Sequence, residues 1–386
     1  MTLAFSDAQV LYLRMRSQRL ASAQPAGSPV QVVKALCGLQ AQALPAAELG
    51  VSLRSSGLTL AEVEQARLQE HSMIWTWGMR GTLHLMAASD LAWLLPMVGP
   101  VFLAGDRRRS QQLGLDEETA DRGVRLLVEL LADQGPQTRQ EIADKLAAQG
   151  IPMQGQASIH LIARAASQSL VCHGPERQGE PSYVLLQDWC GDDIRRDARF
   201  GISTTTTNTT EALDELTRRY LAAYGPAGLA DLAAWSGLNR RDLGGALARL
   251  AAELSETEIA GRPAWLPKAH LDWLDEFASF EQAPTPLVRL LPRFDTYLLG
   301  YASREMILAP QYASRINSGG GMIAASLLVD GRIQGTWSTK KKSKVLEVIV
   351  APFSGLSAEV QAALLPEVAE LGRFLGVKPR LSDMLN

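Results

Sequence analysis

Cysteine is nearly absent from this chain. Three thiols, Cys37, Cys172 and Cys190, stand among 386 residues, and no two form a C-x-x-C pair. Only five histidines are present, none in H-E-x-x-H or zinc-finger spacing. The sequence therefore offers no disulfide framework and no metal-ligand constellation, and it reads as a chain of the reducing cytoplasm. Charge of either sign is modest: 38 Lys and Arg against 41 Asp and Glu, a net of −3. That balance gives no global sign of a nucleic-acid partner, although such affinity follows local patches and not the sum. No apolar run approaches the about 18 residues of a membrane-crossing helix. The opening MTLAFSDAQVLYLRMRSQ lacks a basic segment followed by an apolar one, so neither a membrane nor export is expected. No G-x-S-x-G, P-loop or paired acidic motif occurs. Gly319–Gly321 are not flanked by strand and helix, so they read as a turn and not as a nucleotide cradle.

What is present is ordinary core material. Hydrophobic residues make up 46%, and the length suits two or three domains or an array of small ones, at about 150 residues per domain. Ser6 reads as the N-cap of a helix over 6–19, and further helices are expected from Pro29 to Leu39 and from Pro45 to the Ser55-Ser56-Gly57 stop. Thr59 and Glu62 form a capping box for a fourth. IWTWGMRGTLHLMA, residues 74–87, then alternates around a Gly-containing tip like a hairpin, and Ser89 opens SDLAWLL. Helices followed by a two-stranded hairpin suggest a winged helix, and the pattern recurs. Residues 122–190 give a helix, then a second behind a Thr138–Glu141 capping box, a third in ASIHLIARAASQ and two β runs. Residues 211–266 repeat it, with Gly237 as a helix C′ residue and Asn239 capping NRRDLGGALARL. LVELLADQGPQTRQEIADKLAAQG and TRRYLAAYGPAGLADLAAWSG align, each with Gly-Pro after its first helix.

STTTTNTTE, residues 203–211, reads as a polar spacer. From Pro286 the texture changes to alternating β runs, including LVRLLPRFDTYLLGYA, with a tight turn at Asp330-Gly331 and a closing helix in SAEVQAALLPEVAELGRFLG. The expectation is an α+β fold: winged units over 1–118, 119–202 and 203–283, then a mixed module over 284–386.

Three winged units make DNA the first partner to consider. Lys340, Lys341, Lys342 and Lys344 are read as a basic loop between two strands, able to track phosphates. Arg107, Arg108 and Arg109 form a second cluster. Arg240 and Arg241 open the recognition-like helix of the third unit. Arg80 lies on the first wing with His84 on the strand leaving it. Asp295 is expected to hold Arg293 or Arg304, or to cap a turn, and Arg293 joins the candidate DNA-binding residues.

GLQAQALPAAELGVSLRSSGL, WTWGMRGTLHLMAASDLAWLL, RRYLAAYGPAGLADLAAWSGL and LLPRFDTYLLGYASRE, in that order, resemble the tandem winged-helix family of bacterial DNA glycosylases. The resemblance covers nearly the whole chain. It implies a C-shaped monomer without cofactor that hydrolyses the N-glycosidic bond of N7-alkylated guanine in double-stranded DNA. The family's glutamine–apolar–glutamine motif, which holds the catalytic water, falls on Gln40-Ala41-Gln42. The chemistry suits amides. Alkylation at N7 makes the base cationic, so it leaves neutral and needs little acid help. The transition state is oxocarbenium-like, and a water held at C1′ suffices as nucleophile. A glutamine carbonyl accepts from that water while its NH₂ donates to a sugar or phosphate oxygen. Two amides at i and i+2 reach one water only where the backbone is not helical. No lysine stands beside them as a Schiff-base nucleophile, so no lyase step is expected. A crosslinked guanine cannot swing fully into a pocket, which favours an open, concave site. Without the resemblance, GLQAQ reads as a solvated helix end, and the chain as a DNA-binding regulator or a protein-binding scaffold.

Overall fold

The computed structural model describes residues 3–21, 27–191, 209–342 and 345–382. In chain order the elements are α1 (Asp7–Ser17), α2 (Pro29–Ala35), β1 (Leu39–Gln40), α3 (Leu44–Ser52), α4 (Leu60–Leu68), β2 (Met73–Trp77), β3 (Leu83–Ala87) and α5 (Ala88–Gln112). There follow α6 (Glu117–Gln134), β4 (Gln137–Thr138), α7 (Arg139–Ala148), α8 (Ala157–Ser167), β5 (Val171–His173), β6 (Ser182–Leu185) and α9 (Leu186–Cys190). The third repeat is α10 (Thr209–Tyr224), α11 (Leu229–Ser236), α12 (Arg240–Arg249), β7 (Leu254–Ile259) and β8 (Arg262–Pro267). The remainder is α13 (Phe277–Glu281), β9 (Val288–Leu291), α14 (Thr296–Leu299), α15 (Ala313–Ile316), β10 (Ser326–Val329), β11 (Arg332–Lys342), β12 (Val345–Pro352), α16 (Ala358–Leu375) and β13 (Lys378–Leu381).

Local chemistry sets most helix starts. Ser6 and Thr138 each close a capping box, with Gln9 and Glu141. The Thr59 hydroxyl and backbone exchange hydrogen bonds with Glu62. Asn239 accepts from the backbone N–H of Arg241, and Gly237 takes a φ of +79° after α11. Asp330 and Gly331, both at positive φ, close the β10–β11 hairpin.

Two expected boundaries move. The helix opened at Ser89 is far longer, 25 residues through Pro96 and Pro100. Its packing overrides the proline signal: Gly99 lies so near α8 that a Cβ there would stand 2.2 Å from the Ser167 carbonyl oxygen. It is long and apolar enough to cross a membrane by length and composition, yet Leu91, Trp93, Leu94, Leu95 and Val98 are buried within the fold. In LVRLLPRFDTYLLGYA only Val288–Leu291 is strand, because Asp295 caps α14 directly after it. Of the Thr-rich spacer, residues 203–208 lie outside the described residues and 209–211 open α10.

By packing, the chain forms two compact units: residues 1–64, 214–235 and 239–386, and residues 65–213 with 236–238. These cut across the four sequence segments. The first segment is divided because its hairpin joins the second repeat. Trp75 stacks on His173 at 3.8 Å between ring centres, and Trp77 stands over His173 and Tyr183. Leu127, Leu131, Ile142, Leu161 and Ile162 fill the core beneath them.

Two hydrophobic clusters, among others, fill the other unit. One is built from Leu11, Met15, Tyr297, Leu298 and Leu328; the other lies between α16 and a five-stranded sheet in the order β13-β12-β11-β10-β9. Gly319–Gly321, all at positive φ with open space around them, are a turn.

Candidate active site and nucleic-acid interface

Gln40 sits on a two-residue strand and Gln42 on the bend after it, and neither is on a helix end. α2 stops at Leu36, and the next two residues reverse the chain. Cys37 donates to Lys34 O at 3.2 Å and Gly38 to Val33 O at 2.9 Å, the paired bonds of a Schellman turn. Cys37 fills the left-handed C′ position at φ +54°, a place that normally takes glycine, and Gly38 follows at +100°. A left-handed non-glycine residue costs about 1–2 kcal/mol and persists only where its surroundings hold it.

β1 then runs out through Leu39 and Gln40, and the chain bends at Gln42 and Ala43 before α3 begins. Side chains alternate along extended backbone. Leu39 and Ala41 are buried, Gln40 is half-buried and Gln42 is exposed. Burial therefore alternates across the motif and leaves the two amides as its less covered side chains.

This strip is fixed from behind. Leu39 packs over Gly50, where a Cβ would stand 3.2 Å from its side chain. The Tyr224 hydroxyl, buried at the end of α10, donates to the Leu36 carbonyl at 3.2 Å. Tyr224 itself is wedged over Gly300, where a Cβ would come within 2.5 Å of the ring, and it accepts through its carbonyl from the Tyr301 hydroxyl at 3.0 Å. Burial pushes the Tyr224 phenol far above its ordinary value, so it stays a donor.

One turn past Gly50, Arg54 is fully buried. It meets Asp295 in a two-pronged pair at 2.9 and 2.7 Å, and its other donors reach Gln18 O, Gly50 O and Thr296 Oγ1. Asp295 also accepts from the Tyr297 backbone N–H at 2.9 Å. The expected turn cap is present. The partner of Asp295, however, is Arg54 and not Arg293 or Arg304, because those two turn elsewhere: Arg304 donates to Leu298 O, and Arg293 is exposed beside Phe294 and Met322. Arg54 and Tyr224 carry no motif of their own. They lie inside phrases that carry the family resemblance, but nothing in those phrases singles them out.

The candidate cationic residues fall into both units. In the unit of residues 65–213, Arg107, Arg108 and Arg109 are exposed on the last turns of α5. Arg107 pairs with Glu117 at 3.1 Å and Arg109 donates to Gln156 at 2.8 Å. Arg80 is half-buried at φ +57° in the wing turn. His84 is withdrawn from any surface: it is 2% exposed, its Nδ1 lies 2.9 Å from Thr82 O, and burial holds its pKa down to about 3. A neutral ring sealed in a sheet presents nothing to a phosphate.

In the unit that holds Gln40 and Gln42, Arg240 and Arg241 are exposed at the start of α12. Lys340, Lys341 and Lys342 are not a loop. They form the end of β11, paired in register with Glu347, Leu346 and Val345. Strand pairing continues to the tip because nothing in the run breaks it. Lys342 is tied to Glu347 at 2.7 Å, which Arg380 also meets, while Lys340 and Lys341 project into solvent. Lys344 lies outside the described residues. Among the described residues no group of three or more His, Cys, Asp or Glu is placed to hold a metal ion.

Comparison with known proteins accords with this geometry. The family described as DNA glycosylase AlkZ-like matches residues 33–374. A Streptomyces sahachiroi protein named "Interstrand DNA cross-link repair glycosylase" is 29% identical over 381 residues, covering 96% of each chain. The solved structure of the Streptomyces sahachiroi DNA glycosylase AlkZ superposes with a TM-score of 0.80 at 27% identity, covering 98% of this chain and 100% of that one. The chain belongs to the AlkZ-like family of DNA glycosylases, enzymes that hydrolyse N-glycosidic bonds in DNA.

Proposed function

We propose that this glycosylase removes N7-alkylated guanine from duplex DNA, crosslinked guanine included, by a water held between Gln40 and Gln42. The observation that carries the proposal is the short non-helical stretch between α2 and α3, in which Leu39 and Ala41 are buried while Gln40 is half-buried and Gln42 exposed. The cationic base is a good leaving group, so positioning supplies most of what is required. One carbonyl oxygen accepts a proton of the water and aims its lone pair at C1′, and the second amide fixes the water laterally. As the bond to the base lengthens, positive charge grows on the sugar and the water adds to C1′, losing its proton to solvent. No amine takes part, so the sugar remains attached and the strand uncut. The relative's name, a repair glycosylase for interstrand crosslinks, supports an open site that accepts a bulky N7 substituent. Arg80, Arg107–Arg109, Arg293 and the outward Lys340 and Lys341 would hold the DNA strands.

The test is single-turnover base release from duplex DNA carrying one N7-methylguanine and, in parallel, a bulkier N7 adduct. Gln40→Ala and Gln42→Ala are each expected to slow release by about 10²-fold with duplex affinity kept. Release at the full rate in either variant would remove the water-holding role. Activity confined to the methyl adduct would remove the open-site reading. A strand break accompanying release would show a lyase step.

A further inference from the structure

We infer that the third repeat alone presses its recognition-position helix onto duplex DNA, through Arg240, Arg241 and the wing residue Arg262, and that the corresponding helices of the other two repeats do not. The inference rests on the glycosylase reading only in taking DNA as the partner.

The three helices differ in what they offer a polyanion. α8, in the second repeat, is sealed. Not one of its eleven residues is exposed, because α5, α6 and α7 enclose it and Gly99 of α5 meets the Ser167 carbonyl. α4, in the first repeat, has an open face, but Glu62 and Glu64 occupy it. Facing phosphates, that pair would repel.

The first turn of α12 exposes two arginines against one carboxylate, Asp242, so its open face is net cationic. Arg240 and Arg241 are exposed and, among the described residues, neither makes an ion pair. Arg262, exposed at the tip of the β7–β8 wing, is likewise unpaired among them. By contrast Arg249, at the far end of the same helix, is neutralised by Asp214 at 2.6 Å. Arg240 and Arg262 stand on the lining of one cleft of about 650 Å³, whose floor is Leu229, Ile259 and Trp265. Of the two acids on that lining, Asp231 is spent on the backbone N–H groups of Gly228 and Ala302, each at 2.9 Å, and Glu305 is exposed, leaving the cations in the majority.

The middle of α12 carries Gly244-Gly245, which weakens a helix by about 1 kcal/mol per residue relative to alanine. A Cβ at Gly244 would meet nothing closer than 3.8 Å, so the fold itself makes no demand for glycine there. Half-buried and without side chains, this stretch next to Arg240 and Arg241 lets a sugar-phosphate backbone come close. Charge complementarity thus selects a DNA strand for this face.

The experiment measures binding to an undamaged duplex as a function of salt, by fluorescence anisotropy, on the full chain. Replacing Arg240, Arg241 and Arg262 together by Gln is expected to flatten the slope of log K against log salt by about 2 to 3, near 0.9 for each phosphate no longer neutralised. Arg262→Gln alone, outside any helix, is expected to remove about 1. Glu64→Lys on α4 is expected to leave the slope as it was. An unchanged slope in the triple variant would overturn the inference. So would a slope steepened by about 1 in Glu64→Lys, because that would place α4 on the DNA. Binding to undamaged DNA requires no base release, so failure of the proposed chemistry leaves this result standing.

Discussion

Mild acid is expected to unfold the 65–213 unit before the other. His84 and His173 are buried there, and burial holds both rings at a pKa of about 3. For His173 the nearby Arg67 charge adds to that shift, as Arg80 does for His84. In the unfolded chain a histidine titrates near 6.5. The folded value is the lower of the two, so between about pH 3 and 6.5 the unfolded chain binds protons that the folded chain refuses. Their stabilising contribution is complete above about pH 6.5 and is lost as pH falls through that window. At about pH 5 each ring costs about 2 kcal/mol, or about 4 for the pair. That is a large part of the about 5–15 kcal/mol that holds a domain together. The other unit carries one such ring, His270, lowered by burial to about 4, and loses about half as much.

Trp75 and Trp77 stack against His173, so their fluorescence reports its unit once Trp235, Trp265, Trp273 and Trp337 of the other unit are replaced by Phe. Thermal melts followed at this signal should show a midpoint falling from about pH 6.5 downward, well before ordinary carboxylates titrate. His173→Phe keeps the stacked ring and removes the titration, so the slope should fall by about half. A midpoint that stays flat down to about pH 4.5 would refute the reasoning, as would a slope that His173→Phe leaves untouched.

Three further outcomes are expected. Asp295→Asn leaves the Arg54 guanidinium buried without its counter-charge and should cost about 3–5 kcal/mol in denaturant unfolding; a loss under about 1 kcal/mol would mean that solvent reaches the pair. Tyr224→Phe deletes one buried hydroxyl and should cost about 1 kcal/mol of stability, with a lower kcat at unchanged KM, because the strip that aims the glutamines loosens; a change in KM alone would assign Tyr224 to DNA binding. Neutralising Lys340, Lys341 and Lys342 should weaken duplex binding and flatten its salt slope by about 2, since Lys342 is already engaged by Glu347; an unchanged slope would route the DNA elsewhere.

Much of the fold was legible because its signals are local. Ser6, Thr138, Thr59 with Glu62, and Asn239 set helix starts through bonds that span only two or three residues. Asp330-Gly331 marked its turn by the backbone angles it demands. What escaped depends on distant partners. Nothing near Pro96 says that a helix continues through it, because the reason lies at Ser167, 68 positions beyond Gly99. The Lys340–Lys342 run looks like a loop by charge and becomes strand through its partner Glu347. His84 looked available on an alternating strand, and only tertiary packing shows that it is sealed. At the site, Gln40 and Gln42 could be singled out from the motif, but whether their backbone was helical could not. That answer rests on Cys37, a residue whose type gives no sign of a left-handed turn.

The site places its precision in the backbone and not in the side chains. A glutamine has three rotatable bonds, and ordering it costs about 1.5–2 kcal/mol, so two amides cannot by themselves hold a water to a few tenths of an ångström. The structure meets this by fixing the strip they hang from. The turn at Cys37 and Gly38 fixes its direction, Tyr224 fixes the carbonyl that precedes it, and Leu39 keys it into the Gly50 notch of α3. α3 is in turn held through Arg54 to Asp295, some 240 residues away in sequence. A positively charged alkylated base leaves readily and asks for little more than a placed water. An undamaged guanine leaves as an anion and would need a proton donor, and neither amide can supply one. On the proposed mechanism, selectivity for damage follows from the weakness of the two amides: a rigid pair is sufficient for a base that is ready to leave and insufficient for one that is not.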